Sequence, residues 1–160
     1  MEMIASFDGA QLAVHRLGQG RPVLLLHGLF SSAAMNWIDF GHAQTLADAG
    51  FEAIMPDLRA HGHSAAPHDP QAYPPDVLVR DARAVADALG LEAGGYDLVG
   101  FSLGAAMSLK LAADQRDSLD ADQVIAVAPP LDFAKCSANM ELGLNRHYGR
   151  YFAKLLVRHV

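Results

Sequence analysis

Tyr96-Asp97-Leu98-Val99-Gly100-Phe101-Ser102-Leu103-Gly104-Ala105-Ala106 is the stretch on which the reading of this chain turns. Tyr96 to Phe101 has the make-up of a buried strand, and Leu103 to Ala113 that of a helix, with nothing between them but Ser102. A serine on so sharp a strand-to-helix turn sits in strained backbone, and side chains two residues to either side would collide with neighbouring elements. Glycine at positions 100 and 104 removes both collisions. The helix opening at Leu103 points unpaired backbone N–H groups and a positive dipole end at the serine, so Leu103 N–H is the first donor expected at a developing oxyanion.

Outward from this turn, strands and helices alternate. Met3 to Phe7 and Gln11 to Arg16 read as a hairpin around Asp8-Gly9. Pro22 to Leu26 is a continuous apolar run, as expected of a strand covered on both faces. Trp37 to Ala49 reads as a helix closed by Gly50, Phe51 to Met55 as a strand stopped by Pro56, and the proline-rich Asp57 to Pro75 as irregular. Leu78, Ala82, Val85 and Leu89 recur at the spacing of one helical face over Asp76 to Leu89. Gln123 to Ala128 is a last apolar strand, ended by Pro129-Pro130, and Asn145 to Val160 reads as a helix. This order predicts an α/β fold, a mostly parallel sheet with helices on both faces, in one domain over residues 1–160. Ligands of such sheets bind beyond the carboxyl ends of the strands, so the second oxyanion donor is expected from His27-Gly28-Leu29-Phe30, at Leu29 N–H.

Composition narrows the chemistry. Apolar residues make up 51% of the 160 and charged residues 19%, which suits a globular core. The net charge of -6 argues against a nucleic-acid partner, because phosphate binding needs clustered Lys and Arg. Met1 to Gly9 shows no signal peptide, no run approaches the ~20 residues of a membrane span, and the lone Cys136 suits a reducing compartment. A cytoplasmic location is the expectation. No Gly-x-Gly-x-x-Gly joins a strand to a helix, so no nucleotide cofactor is expected. His61-Gly62-His63 with His68-Asp69 misses the His-x-His-x-Asp-His metal-ligand spacing, since Ala65 holds the fifth position; no metal is expected either.

Leu24-Leu25-Leu26-His27-Gly28, Pro56-Asp57-Leu58-Arg59-Ala60-His61-Gly62-His63-Ser64 and Val99-Gly100-Phe101-Ser102-Leu103-Gly104 stand in the order and spacing of the alpha/beta hydrolase family. Residues 5 to 106 resemble its ordinary small-molecule branch. The resemblance implies a serine hydrolase acting on small carboxylic esters or related acyl compounds through an acyl-enzyme on Ser102. Leu29 and Leu103 would be its oxyanion donors, Gly28, Gly100 and Gly104 its loop and elbow glycines, and His27, His61 and His63 structural or pocket-lining residues. Residues 100 to 160 look more like the YheT-type branch, through Ala128-Pro129-Pro130-Leu131-Asp132-Phe133 and the aromatic Tyr148 and Tyr151-Phe152.

The family order places an acid and then a histidine on loops after late strands. The residues after Ser102 leave room for one helix, one strand and a terminal helical region, so the last two strands are expected to be missing and the activity impaired. Asp132, with His147 or His159, is the substitute acid and base to weigh, although Asp132 after two prolines also suits a helix N-cap. Arg146, Arg150, Lys154 and Arg158 recur every four residues and read as a solvated face. The competing functional reading is a non-catalytic hydrolase-fold module. It would self-associate, or pair with another chain, through the uncharged Gln123–Ala128 edge or the terminal helix.

Overall fold

The computed structural model describes residues 1–91, 95–113, 121–130, 132 and 135. The chain divides into two compact units, Met1–Pro129 and Pro130–Val160.

The first unit is built on a six-stranded sheet. In chain order its elements are β1 (Glu2–Ala5), β2 (Gln11–Gly18), β3 (Arg21–Leu26), a π-helical turn (Ala34–Ile38), α1 (His42–Asp48), β4 (Phe51–Pro56), a 3-10 turn (Pro70–Ala72), α2 (Val77–Ala88), β5 (Asp97–Phe101), α3 (Leu103–Ala113) and β6 (Gln123–Val127). The spatial order is β1-β2-β4-β3-β5-β6. β1, β2 and β4 are joined antiparallel, while β4, β3, β5 and β6 run parallel. This is the mostly parallel α/β sheet expected, with β6 as its outer strand among the described residues.

The continuous apolar run of β3 is explained by its central place. Leu24 and Leu26 point into a core with Ile54, Val85, Ala86, Leu98, Met107 and Leu111, on the face covered by α2 and α3. Val23 and Leu25 point the other way, to Trp37, Ala43, Ala53 and Met55 beneath α1 and the π-helical turn. A strand buried on both faces has no position to spare for a polar residue. At its start Arg21 ties the amino ends of three strands together, bridging Asp97 of β5 and Asp122 just before β6.

One sequence expectation is corrected here. Trp37 to Ala49 is not a single helix: a π-helical turn ends at Ile38, Gly41 takes a left-handed φ of 77°, and α1 starts only at His42. The heavy apolar content of that stretch reflects burial of Trp37 and Ala43 against the sheet, and periodicity alone could not see the break. The remaining elements lie within one to two residues of their expected bounds, apart from a hairpin turn that spans Ser6 to Ala10 and is closed by a hydrogen bond from Ser6 N to Ala10 O of 2.8 Å. The expected helix from Asn145 to Val160, with its basic stripe, and Cys136 lie outside the described residues. No helix among the described residues is long and apolar enough to cross a membrane.

Beneath the 57–75 loop lies a buried cation. Arg59, fully buried, donates from Nε and Nη2 to both oxygens of Asp81 on α2, at 2.9 and 2.7 Å, and from Nη1 and Nη2 to Asp8, at 2.6 and 2.8 Å. A fifth bond, 2.8 Å long, reaches Ala72 O, and Ser6 Oγ donates to Asp81. The β1–β2 turn, the loop after β4 and α2 are thus held at one point. Removing the guanidinium strands a buried carboxylate, which typically costs about 3–5 kcal/mol. Arg59→Leu is expected to lower stability in urea unfolding by about that amount. The hydrogen bonds from Arg59 also hold the Asp8 carboxyl down from its ordinary 3.8 to about 2. Folded chains then bind fewer protons than unfolded ones in that interval, so this stabilisation is present above pH 3.8 and is lost as pH falls toward 2. An Asp8→Asn variant is expected to lack that portion of the acid unfolding limb.

Candidate functional site

Ser102 stands between β5 and α3 with a left-handed φ of 54°, a conformation that L side chains seldom adopt. Its amide donates to Val127 O at the end of β6 (2.9 Å), and its carbonyl accepts from Ala106 N in the first turn of α3 (3.1 Å). The two glycines of the motif are sterically required. A β-carbon on Gly104 would lie 2.1 Å from Leu26 O and 2.7 Å from His27 O, and one on Gly100 would lie 2.2 Å from Gly104 O. In each case the obstruction is backbone, which cannot swing aside.

Left-handed, non-glycine residues mark the same edge of the sheet. Phe30 (59°), Ala60 (64°), Ser102 (54°) and Ala128 (51°) are all such residues, and each follows the carboxyl end of a parallel strand: β3, β4, β5 and β6. Strain of this kind gathers where a ligand is to be held.

The loop after β3 lies directly against the serine. A β-carbon on Gly28 would stand 3.2 Å from Ser102 Cβ and 3.3 Å from Phe101 Cδ1. Gly28 N–H is taken by Asn36 Oδ1 at 2.9 Å, whereas Leu29 N–H makes no hydrogen bond among the described residues. At the start of α3, the N–H of Leu103 has no intrahelical acceptor by construction. Leu29, Phe30 and Phe101 keep 47%, 36% and 40% of their surface exposed, an apolar rim beside half-buried Ser102.

His27 is part of the scaffold. Its Nε2 accepts from Leu58 N (2.9 Å), so the proton sits on Nδ1 and is donated to Gly28 O (2.7 Å). Burial pushes its pKa down to about 4 and keeps the ring neutral, with both nitrogens engaged. His61 packs edge-on against it, with ring centroids 5.2 Å apart, and its Nδ1 meets Arg59 O. The Asp57 carboxylate, 1% exposed, accepts from Ala33 N (2.8 Å) and His63 N (2.9 Å), tying the loops after β3 and β4 together.

Among the described residues no histidine or carboxylate hydrogen-bonds the Ser102 hydroxyl. Asp132 belongs to the second unit, where its Oδ1 accepts from Lys135 N at 2.9 Å, the bond a helix N-cap makes. His147 and His159 lie outside the described residues. The Asn36 side chain carries no signal in the sequence, and Asp57 stands there only as part of the 56–64 stretch that resembles the family. Each acts on backbone N–H groups that only the folded loops bring near.

Residues 21–154 match the family described as alpha/beta hydrolase fold. The chain belongs to the alpha/beta hydrolase family. It is similar to epoxide hydrolase 2 of Siraitia grosvenorii, 35% identical over 64% of this chain and 31% of the relative. The AB hydrolase superfamily protein YisY of Bacillus subtilis is 33% identical over 78% of this chain and 44% of the relative. Of solved structures, an esterase from Exiguobacterium antarcticum superposes with a TM-score of 0.67 at 27% identity, covering 81% of this chain and 45% of that one. The chain therefore matches less than half of the length of each of these relatives.

The close approach at the elbow sets a steric test. Gly104→Val drives a branched side chain into the carbonyls of Leu26 and His27 and is expected to destabilise the fold by roughly 1 to 3 kcal/mol. Thermal unfolding checks this, and an unchanged midpoint would mean that the turn is relaxed.

Proposed function

We propose that this chain carries the acyl-transfer half of a serine ester hydrolase, with Ser102 as nucleophile and the N–H groups of Leu29 and Leu103 as oxyanion donors. One observation carries the reading. Ser102 is held in left-handed backbone at the end of β5, with Gly28 of the β3 loop against it, so that loop and the start of α3 flank one hydroxyl. Attack of Oγ on an ester carbonyl forms a tetrahedral oxyanion, the alcohol leaves, and water then cleaves the acyl-serine. Leu29, Phe30 and Phe101 offer an apolar wall for the acyl or alcohol part.

The names of the relatives include epoxide hydrolases as well as esterases. The chemistry of a serine favours the ester. Opening an epoxide with a serine oxygen would leave a β-hydroxy ether, which water does not cleave under mild conditions, whereas an acyl-serine is itself a hydrolysable ester. A serine without a base is a weak nucleophile at neutral pH, so slow turnover is expected of this chain, far under the ordinary median of about 10 per second. Cleavage in the ordinary range would point to His147 or His159 as base, with Asp132 as its acid.

The test is covalent. Wild-type protein is expected to release a p-nitrophenyl ester slowly and to label on Ser102 with a fluorophosphonate, and Ser102→Ala is expected to do neither while folding normally. Equal residual rates in the two proteins would remove Ser102 from the chemistry.

A second reading draws on β6. Among the described residues this strand pairs on one side only, with β5, and it exposes Ile125 and Val127 at 51% and 44%. An outer strand without charge or proline is a template for pairing with another chain. As an interaction module the protein would self-associate there, and Val127→Lys is expected to shift it toward monomer by light scattering. A monodisperse wild-type monomer at high micromolar concentration would exclude self-association through this edge.

A further inference from the structure

We propose that His15, Asp57 and His63 form a binding site for a divalent transition-metal cation of the zinc type. The site uses none of the residues assigned to the chemistry of Ser102 and stands independently of it. His15 is on β2, opposite Met55 of β4; Asp57 follows β4 directly; His63 is on the loop beyond. Asp57 Oδ2 lies 3.7 Å from His15 Nε2 and 3.6 Å from His63 Nδ1, and the three ligand atoms all lie within 4.8 Å of one another.

This spacing is too long for hydrogen bonds and close to that of a metal site. An N–H donor needs its acceptor within roughly 3.2 Å, so neither imidazole bonds the carboxylate. Ligands about 2.0–2.1 Å from a tetrahedral cation stand roughly 3.4 Å apart, a few tenths less than the two separations seen. The wider gap between the two ring nitrogens, within 4.8 Å, would be closed by a turn of the His63 side chain, which is 66% exposed. His15 Nε2 supplies the independent sign of a missing partner: it is buried and has no hydrogen bond. A lone pair there would face a carboxylate oxygen across 3.7 Å, whereas a cation between them would satisfy both.

The carboxylate is already oriented for this. Ala33 N–H holds Oδ1 and His63 N–H holds Oδ2, in the way that outer hydrogen bonds fix metal ligands. Two imidazoles and one carboxylate select zinc, cobalt or nickel over magnesium and calcium, which prefer all-oxygen sets. The exposed side of His63 leaves a fourth position open to water. Binding would pin β2 to the loop after β4 and, through Ala33, steady the loop that passes Ser102.

The whole chain, stripped with a chelator and dialysed, is titrated with zinc by calorimetry and with cobalt by visible absorption. One cation per chain is expected, with cobalt giving the intense bands of a four-coordinate site. His63→Ala, whose side chain is exposed, and His15→Gln are each expected to weaken binding by roughly tenfold or more. His68→Ala, exposed and outside the cluster, is expected to bind as wild type. Absence of saturable one-to-one binding, unchanged affinity in His63→Ala, or magnesium binding as tightly as zinc would each overturn the proposal. If His15→Gln does not fold, His63→Ala decides alone.

Discussion

The contact between Gly104 and the carbonyl oxygens of Leu26 and His27 is the constraint from which the rest of this unit follows. It brings the first turn of α3 down onto the end of β3, so that strand and helix meet with no side chain between them. Gly100 lets β5 pass equally close to the same turn. With both approaches made, the backbone passes from β5 to α3 through a left-handed residue, Ser102. Its conformation is the geometric consequence of packing a strand and a helix at the shortest distance backbone allows.

What keeps such strain in place is buried polar chemistry behind the loops. Arg59 gathers Asp8, Asp81 and Ala72 around one guanidinium, and Asp57 receives N–H groups from two different loops. His27, neutral and with both nitrogens bonded, joins the end of β3 to Leu58. Each group would be costly alone in a dry interior, and each is satisfied by backbone or by an opposite charge. These bonds tie together the loops after β3 and β4, which carry the left-handed Phe30 and Ala60.

This architecture separates two roles that histidines could have shared. His27 and His61 are spent on structure: His27 on Leu58 and Gly28, His61 on the Arg59 carbonyl. His63 and His15 instead converge on a carboxylate that already has its backbone partners. Membership of the alpha/beta hydrolase family rests on the match over residues 21–154 and on the fold, and the relatives it resembles include esterases and epoxide hydrolases alike.

Much of this was legible in one dimension because it is local. The apolar run Pro22 to Leu26 reads as a strand covered on both faces, and Gly100-x-Ser102-x-Gly104 as a strained turn from strand to helix, since both readings depend on neighbouring residues. The β3 loop was placed beside Ser102 by the general geometry of open sheets, and Gly28 lies there. The folded chain alone decided the rest. Trp37 to Ala49 reads as one helix until the sheet claims Trp37 and Ala43 across a left-handed Gly41. Asn36 looks like any polar loop residue until it meets Gly28 N–H, and His15 like any strand residue until β2 pairs with β4 and sets it beside Asp57. Periodicity and motif spacing report what a residue does to its neighbours in sequence, whereas a partner forty residues away is chosen by strand order and register.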